Sequence, residues 1–212
     1  ATNLVPGDGN GATDVFVSDL QSGVIVRVSV DSAGVEGGGD SSEPSMSNDG
    51  RFVAFLSDHE FVNEDENGVT DAYVHDRDID GDGTFDEVGA VATWRVSSEA
   101  GIEVENAIGG VRIAGGGEWV AMVTDFAFQS NDQNDSDDVY VRGVAVDDDV
   151  MRRISRGSTV EGGGGDLVTI SADGRYVGFR TFSFDIAPAN VSGYYLRDRV
   201  GFDNLAKKVT KP

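Results

Sequence analysis

Carboxylate and amide side chains recur at one spacing in three places along this 212-residue chain. Each place carries the pattern Asp-x-Asn-x-x-x-Asp, and the last aspartate leads directly into alternating apolar residues such as Val15-Phe16-Val17. Hard cations such as Ca²⁺ take about six to eight oxygen ligands from carboxylates, amide carbonyls and backbone carbonyls. The pattern therefore predicts three calcium-binding loops. Their predicted ligands are Asp8, Asn10, Asp14, Asp65, Asn67, Asp71, Asp132, Asn134 and Asp138.

An alternative for these loops needs no metal. Asp and Asn side chains form Asx turns, in which they accept hydrogen bonds from nearby backbone amides, and three close copies also follow from duplication alone. A fourth copy can be aligned by matching Asp198 with Asp19. Its three corresponding positions are Ala187, Ala189 and Gly193. All three oxygen donors are lost together there, as expected if they act together, and we expect that copy to bind no cation.

A second acidic run, DRDIDGDGTFDE over residues 76–87, has a different spacing. Carboxylates at alternate positions followed by Gly83 resemble the start of an EF-hand or thrombospondin-type calcium loop, although position 12 of an EF-hand would be Gly89 rather than Glu. The run joins two predicted strands, so it predicts a hairpin tip tied by Ca²⁺. The alternative is a solvated, flexible loop. The predicted ligands are Asp78, Asp80, Asp82, Asp86 and Glu87.

The elements that must position these loops also repeat. Three glycine-containing turns, each followed by a strand-like alternation of apolar residues, occupy residues 47–57, 114–124 and 171–181. A second strand family occupies residues 14–19, 71–76, 138–143 and 193–198, and a third, ending in Arg-x-Ser, occupies residues 24–29, 91–97 and 149–155. Apolar alternation with a period of two predicts strands, and no helical periodicity is present. Each unit therefore contains about four short strands.

Four antiparallel strands repeated along a chain predict an all-β fold, a β-propeller. The repeat is 57 residues from Asp14 to Asp71 and 67 residues from Asp71 to Asp138. A two-sheet sandwich is the alternative, but it does not predict the same loop in every unit. We predict that the chain, 1–212, is a single propeller domain or a fragment of one. It would contain about three and a half blades, at 1–30 (partial), 43–97, 106–155 and 167–212. Because propellers have roughly four to eight blades, we expect either a longer parent chain or a second copy that completes the ring as a homo-oligomer.

Two of the turns resemble a known repeat. Residues 47–55, Ser-Asn-Asp-Gly-Arg-Phe-Val-Ala-Phe, and 171–179, Ser-Ala-Asp-Gly-Arg-Tyr-Val-Gly-Phe, resemble the signature of TolB-like, WD-type propeller repeats. Residues 114–122 depart from this signature, with Gly116 in place of Asp and Glu118 in place of Arg. The resemblance implies a propeller over nearly the whole chain and, for some relatives, protein–protein contacts in the cell envelope. It is weak for function, because propellers host many functions.

Composition excludes several classes of partner. The chain has 16 basic and 38 acidic residues, a net charge of −22, and no cysteine. Binding to nucleic acid or to an anionic membrane surface needs the opposite charge. No run of 18 apolar residues exists, so we expect no membrane insertion. The acidic balance suits multivalent cations, a high-salt setting or simple solubility.

The sequence contains no motif for a catalytic nucleophile, a zinc protease or a phosphate loop. Its two histidines, His59 and His75, have no sequence partner, and we expect His75 to face solvent. The tryptophans Trp94 and Trp119 are predicted to pack in the core or between blades rather than to form a sugar platform. The repeated arginines are predicted to form inter-blade ion pairs or hydrogen bonds rather than a binding ring; they are Arg27, Arg95 and Arg153.

These features favour a non-catalytic, Ca²⁺-stabilised propeller module that binds a protein or carbohydrate ligand. We expect it in an extracellular, periplasmic or cell-envelope protein of bacterial type. Two alternatives stay open at this point, the propeller domain of a hydrolase or lyase and a structural repeat unit of a surface protein.

Overall fold

The computed structural model describes residues 4–99, 102–130, 132–144, 150–157, 164–181, 186, 193–200 and 207–208. These residues form strands, turns and bends, without a helix, so the all-β prediction is confirmed. The strands are β1 (Phe16–Ser18), β2 (Ile25–Arg27), β3 (Ser41–Met46), β4 (Phe52–Ser57), β5 (Asp71–Asp76), β6 (Ala92–Arg95), β7 (Ser98–Glu99), β8 (Ile102–Glu103), β9 (Gly110–Ile113), β10 (Trp119–Thr124), β11 (Asp138–Gly143), β12 (Arg152–Arg153), β13 (Asp166–Ile170), β14 (Tyr176–Thr181), β15 (Gly193–Asp198) and β16 (Lys207–Lys208).

The strands pair in the order in which they follow one another along the chain. β1 and β2 form a two-stranded first sheet. The second sheet (β3–β6), the third sheet (β9–β12) and the fourth sheet (β13–β16) each have four strands, and every pairing is antiparallel. A small hairpin, β7–β8, joins the second sheet to the third. The predicted units of four antiparallel strands, with a partial first unit, are therefore confirmed.

The apolar core lies between successive sheets rather than within one of them. On β4, Phe55 packs with Val28 from the first sheet's side, whereas Leu56 packs with Val111 of the third sheet. Alternate residues of one strand thus face different neighbouring sheets. The first strands of the four-stranded sheets also contact each other in succession, β3 with β9 and β9 with β13. Sheets stacked face to face around their first strands are the blades of a β-propeller.

The fourth sheet exposes one apolar face. Tyr176, Tyr194 and Leu196 are 37%, 56% and 41% exposed, whereas Val177 and Tyr195 on the opposite face are buried. In the second and third sheets the middle strands are buried on both faces because a neighbouring sheet covers each one. The exposed face is where a further sheet would stack, and a second copy completing the ring stays a prediction.

The glycine-containing turns join neighbouring sheets. Gly117 has φ +78°, and a Cβ atom there would lie 2.5 Å from Cδ2 of Phe52 in the second sheet. Gly174 has φ +67°, and its Cβ would lie 2.3 Å from Cδ1 of Trp119 in the third sheet. Glycine is thus required at each turn both for the left-handed backbone and for the aromatic ring of the preceding sheet.

Replacing Gly117 by alanine is expected to lower the free energy of unfolding by about 2 kcal/mol. A left-handed alanine costs roughly 1 kcal/mol, and Phe52 must also move away from the added methyl group. Gly68→Ala is the matched control, because Gly68 has φ +67° with open space around it. Urea unfolding should show about half the loss for the control, and equal losses would disprove the contact between sheets.

Candidate functional site

The three Asp-x-Asn-x-x-x-Asp loops occupy equivalent places in the first, second and third sheets. Each loop leads into a strand, and the second residue after the last aspartate of the loop pairs with an arginine of the next strand. These pairs are Phe16 with Arg27, Tyr73 with Arg95 and Tyr140 with Arg153. Strand pairing therefore brings each arginine beside the loop of its own sheet.

In each loop the arginine lies against both aspartates. Nη1 of Arg95 is 3.2 Å from Asp65 Oδ1 and 3.9 Å from Asp71 Oδ2. Arg153 contacts Asp132 at 3.2 Å and Asp138 at 2.8 Å. We call each arrangement an aspartate–arginine cage. The first cage is Asp8, Asn10, Asp14, Arg27 and Ser29; the second is Asp65, Asn67, Asp71, Arg95 and Ser97; the third is Asp132, Asn134, Asp138, Arg153 and Ser155.

The serine donates to the last aspartate in all three cages, and the asparagine does so in the first two. In the second cage the Ser97 hydroxyl donates to Asp71, and Asn67 Nδ2 donates to Asp71 at 2.9 Å and to the Val104 carbonyl at 2.7 Å. The Asn67 carbonyl oxygen accepts from the Val69 amide at 2.9 Å, which is an Asx turn. The same turn forms at Asn10 and Asn134. The Asx-turn alternative thus describes the local hydrogen bonds of all three loops.

Burial dominates the electrostatics of the second and third cages. Burial, with a smaller contribution from the neighbouring Asp65, raises the pKa of Asp71 to about 6, against hydrogen bonds from Ser97 and Asn67 that lower it. Burial also raises the pKa of Asp132, whose carboxylate accepts a hydrogen bond from the Tyr140 hydroxyl. Two carboxylates that share one guanidinium leave a net charge of about −1 in each cage.

The first cage has a different composition. Phe16 stands where the other two sheets have Tyr73 and Tyr140, so this position offers no hydroxyl to the first aspartate of the loop. Glu36, from the glycine-rich segment 34–40 between β2 and β3, enters instead, with Oε2 2.5 Å from Nη1 of Arg27. Carboxylate oxygens of Asp8, Asp14 and Glu36 lie within 4.8 Å of one another. Three carboxylates against one guanidinium make this the most acidic of the three cages.

The structure therefore brings the predicted ligands of each loop together and adds an arginine among them, so calcium in these loops stays a prediction. The predicted ion pairs of Arg27, Arg95 and Arg153 are present, and their aspartate partners lie in the loop of the same sheet rather than in a neighbouring blade. The physical reason is strand register, which sets each arginine next to its own loop. In the fourth copy, Ala187 and Ala189 lie outside the described residues.

The second acidic run forms the connection between β5 and β6, as predicted. Oxygens of Asp78, Asp80 and Asp82 lie within 4.8 Å of one another, and we call these three residues the acidic tip. Asp78 is buried and accepts the backbone amides of Asp82 and Gly83, both at 3.1 Å. The other predicted ligands lie apart from the acidic tip: Asp86 pairs with Arg77, and Glu87 is exposed.

The prediction that His75 faces solvent was wrong. Its side chain is 1% exposed, and Nδ1 lies 2.8 Å from Thr93 Oγ1. The Thr93 hydroxyl donates its own hydrogen to the Val30 carbonyl at 2.6 Å, so Nδ1 of His75 is the donor. Burial lowers the pKa of His75 to about 4. The other histidine, His59, packs edge-on against Phe61, so both histidines serve packing.

A cleft of about 640 Å³ opens between the second and third sheets. Phe52, Trp94 and Trp119 line its apolar wall, which confirms that both tryptophans lie between blades. Ile79, next to Asp78 and 52% exposed, also lines the cleft. The sequence did not predict this cleft.

Residues 114–122, which depart from the repeat signature, include residues that line this cleft. In the second sheet Arg51 makes two hydrogen bonds of 2.7 Å to Asp76, and Arg175 pairs with Asp198 in the same way in the fourth. We call each pair a clamp. The third sheet has Glu118 and Gly143 at the two clamp positions, and both residues line the cleft. The sequence did contain a signal that could have indicated the cleft: both clamp positions change together in the third sheet.

Solved structures match this arrangement of sheets. A TolB protein of Agrobacterium tumefaciens matches 90% of the chain with a TM-score of 0.50 and 14% identity, over 52% of its own length. The tricorn protease matches 89% of the chain with a TM-score of 0.50 and 10% identity, over 16% of its own length. The fold is a TolB-like β-propeller. TolB from Acinetobacter baumannii matches 94% of the chain with a TM-score of 0.48 and 17% identity, over 38% of its own length.

This propeller chain spans about half of the Agrobacterium protein and less of the other two. Neither a protein-family model nor a curated protein matches the chain. At such identities the likeness shows the fold alone, since one propeller fold carries many activities. Within the described residues no helix has the length and apolar character needed to cross a membrane.

Proposed function

We propose that this propeller is a non-catalytic module that binds another protein through the cleft between its second and third sheets. The observation that supports this proposal is an apolar opening of about 640 Å³ whose wall carries Phe52, Trp94 and Trp119. Ligand sites are concave, mostly apolar and roughly 300–1,000 Å³ in volume. Tryptophan is among the residue types enriched at the hot spots that dominate binding energy at protein interfaces.

The contacts of Trp119 favour a protein ligand over a carbohydrate. The guanidinium carbon of Arg199 lies 3.5 Å from the centroid of the Trp119 ring, so one face of the indole is already covered. A sugar ring stacked on that face would have to displace the cation–π contact. An apolar side chain of a protein needs only the open side of the cleft.

Selection from a random peptide library tests this role of the cleft. We expect selected peptides to change the emission of Trp94 and Trp119, which are the two tryptophans of the chain and both line the cleft. The double variant Glu118→Arg/Gly143→Asp copies the clamp of the other sheets and should lose this binding. Failure to select any cleft binder, or equal binding to the clamped variant, would refute the proposal, and binding of glycans alone would reassign the ligand.

We further propose that Ca²⁺ binds at the acidic tip and stabilises the wall of the cleft. Asp78, Asp80 and Asp82 bring three carboxylates together, and Ile79 lies between the first two of them. A cation held by these carboxylates would remove their mutual repulsion and fix the position of Ile79. Because such loops bind Ca²⁺ weakly, at about 10⁻⁴–10⁻³ M in extracellular modules, an extracellular or cell-envelope location suits the proposal.

Calcium at a few times its dissociation constant is expected to raise the melting temperature of the wild-type chain by a few degrees, since binding to the folded state adds about 1 kcal/mol. The variant Asp80→Asn/Asp82→Asn should lose most of this increase. Calorimetric titration of the two proteins in chelator-treated buffer measures the number of ions bound.

The variant Glu60→Gln/Glu105→Gln is the matched control, since it removes the same charge from two exposed positions in other loops. It should keep the calcium response of the wild type. Equal responses of all three proteins would remove calcium from the acidic tip, and a residual response of the Asp80/Asp82 variant would point to the first cage with Glu36.

A further inference from the structure

We propose that the cleft selects a cationic side chain, a lysine or arginine of a peptide, whose charge pairs with Glu118 and whose apolar stem lies against the aromatic wall. This inference rests on the proposed function, because it specifies the ligand of the same cleft. It follows from one difference between the third sheet and its two neighbours.

The repeat places an arginine at the clamp position and stacks it on the next aromatic residue. The guanidinium of Arg51 lies 4.8 Å from the ring centroid of Phe52, and that of Arg175 lies 4.9 Å from the ring centroid of Tyr176. Each of these arginines is neutralised by its own aspartate. The repeat thus shows, on this molecule, how a cation is held between a carboxylate and an aromatic ring.

The third sheet reverses the charge at this position. Glu118 replaces the arginine and is exposed, and among the described residues it forms no ion pair. Gly143 replaces the aspartate, so no carboxylate stands at the second clamp position. The result is a free carboxylate beside the part of the wall formed by Phe52 and Trp94, which is the complement of an arginine or lysine side chain.

Charge on the whole chain favours the same ligand. The net charge of −22 attracts cationic segments and repels acidic ones. Asp76, which also lines the cleft, is already paired with Arg51. Glu118 is therefore the carboxylate of the cleft that a ligand cation can neutralise. A purely apolar ligand would leave this charge beside a dry interface, which is unfavourable.

Three synthetic peptides of one length test the inference: Ac-Gly-Leu-Arg-Leu-Gly-amide and the same peptide with citrulline or glutamate in place of arginine. The indole NMR signals of Trp94 and Trp119 report occupancy of the cleft. We expect the arginine peptide to bind about fourfold more tightly than the citrulline peptide, because an exposed charged pair contributes about 0.8 kcal/mol, and the glutamate peptide to bind most weakly.

Glu118→Gln should remove the preference for arginine over citrulline, while Glu105→Gln, at another exposed glutamate, should retain it. Equal binding of the arginine and citrulline peptides to the wild type would overturn the inference and leave the proposed function intact. A preference for arginine that survives Glu118→Gln would also overturn it. Absence of any shift at either indole with all three peptides, together with failure of the library selection, would refute both proposals.

Discussion

Replacing Arg153 by methionine is expected to destabilise the propeller by about 3–5 kcal/mol, because it leaves two buried carboxylates without their cation. The side chains of Asp132 and Asp138 are 4% and 0% exposed, and that of Arg153 is 1% exposed. Methionine keeps the apolar stem and removes only the guanidinium. For a chain of this size the loss corresponds to a melting temperature lower by about 10 °C.

Urea unfolding at neutral pH measures this effect, with Arg112→Met as the matched control. Arg112 also pairs with a carboxylate, Glu43 at 2.9 Å, but the two side chains are 40% and 48% exposed. Exposed pairs contribute less than about 1 kcal/mol, so the control should lose little. Similar losses for the two variants would show that the cage at Arg153 is not a buried ion pair in solution.

Calcium provides a second readout of the same variant. If the arginine is the cation of the third cage, added Ca²⁺ should not restore the stability of Arg153→Met. If a metal ion shares the cage in the native protein, the variant should bind Ca²⁺ at Asp132 and Asp138 and recover part of its melting temperature. The experiment therefore decides between the two interpretations of the oxygen-rich loops.

The sequence of the fourth unit agrees with the arginine interpretation. The aspartate at the start of β5 and β11 is replaced by Gly193 at the start of β15. The residue paired with Tyr195 on the next strand is Lys208, whereas the arginines of the cages pair with Phe16, Tyr73 and Tyr140. The unit that loses the carboxylates also loses the arginine, so the two residue types vary together within this chain.

Local patterns in the sequence were sufficient to predict the sheets. The alternation of Phe52, Ala54 and Leu56 with Val53 and Phe55 corresponds to two different apolar clusters, one on each side of the second sheet. The spacing of the Asp and Asn residues also grouped the members of each cage correctly. The arginine could not be assigned, because it comes 13 to 24 residues after the last aspartate of its loop and reaches the loop only through strand register.

The burial of polar residues on the central strands could not be predicted from the residue types found at one position of the repeat. Ser18 and Arg142, which correspond to His75, suggested a solvent-facing site, yet His75 and Arg142 are 1% and 4% exposed. A strand stacked between two sheets is buried on both faces, and its polar atoms find partners inside; Arg142, for example, donates to the Ser98 carbonyl. The cleft was missed for a related reason, since it depends on Glu118 and Gly143, which meet only through the pairing of β10 with β11.

The buried histidine leads to the second large effect, a loss of stability in acid. The pKa of His75 is lowered by burial to about 4 in the folded state, against about 6.5 in the unfolded chain. Between these values the unfolded state binds more protons, so the contribution of neutral His75 is complete above pH 6.5 and is lost as the pH falls toward 4. The loss over this range is about 3 kcal/mol.

His75→Gln isolates this contribution, because glutamine cannot titrate and all other ionisable groups are retained. The free energy of unfolding of the wild type should fall by about 3 kcal/mol more than that of the variant between pH 7 and pH 4. Parallel pH profiles of the two proteins would show that His75 is protonated as easily in the folded state as in the unfolded chain. The NMR signal of the ring, assigned by its absence in His75→Gln, gives the direct measurement: it should stay constant from pH 7 to pH 5, whereas a midpoint near pH 6.5 would contradict the buried hydrogen bond to Thr93.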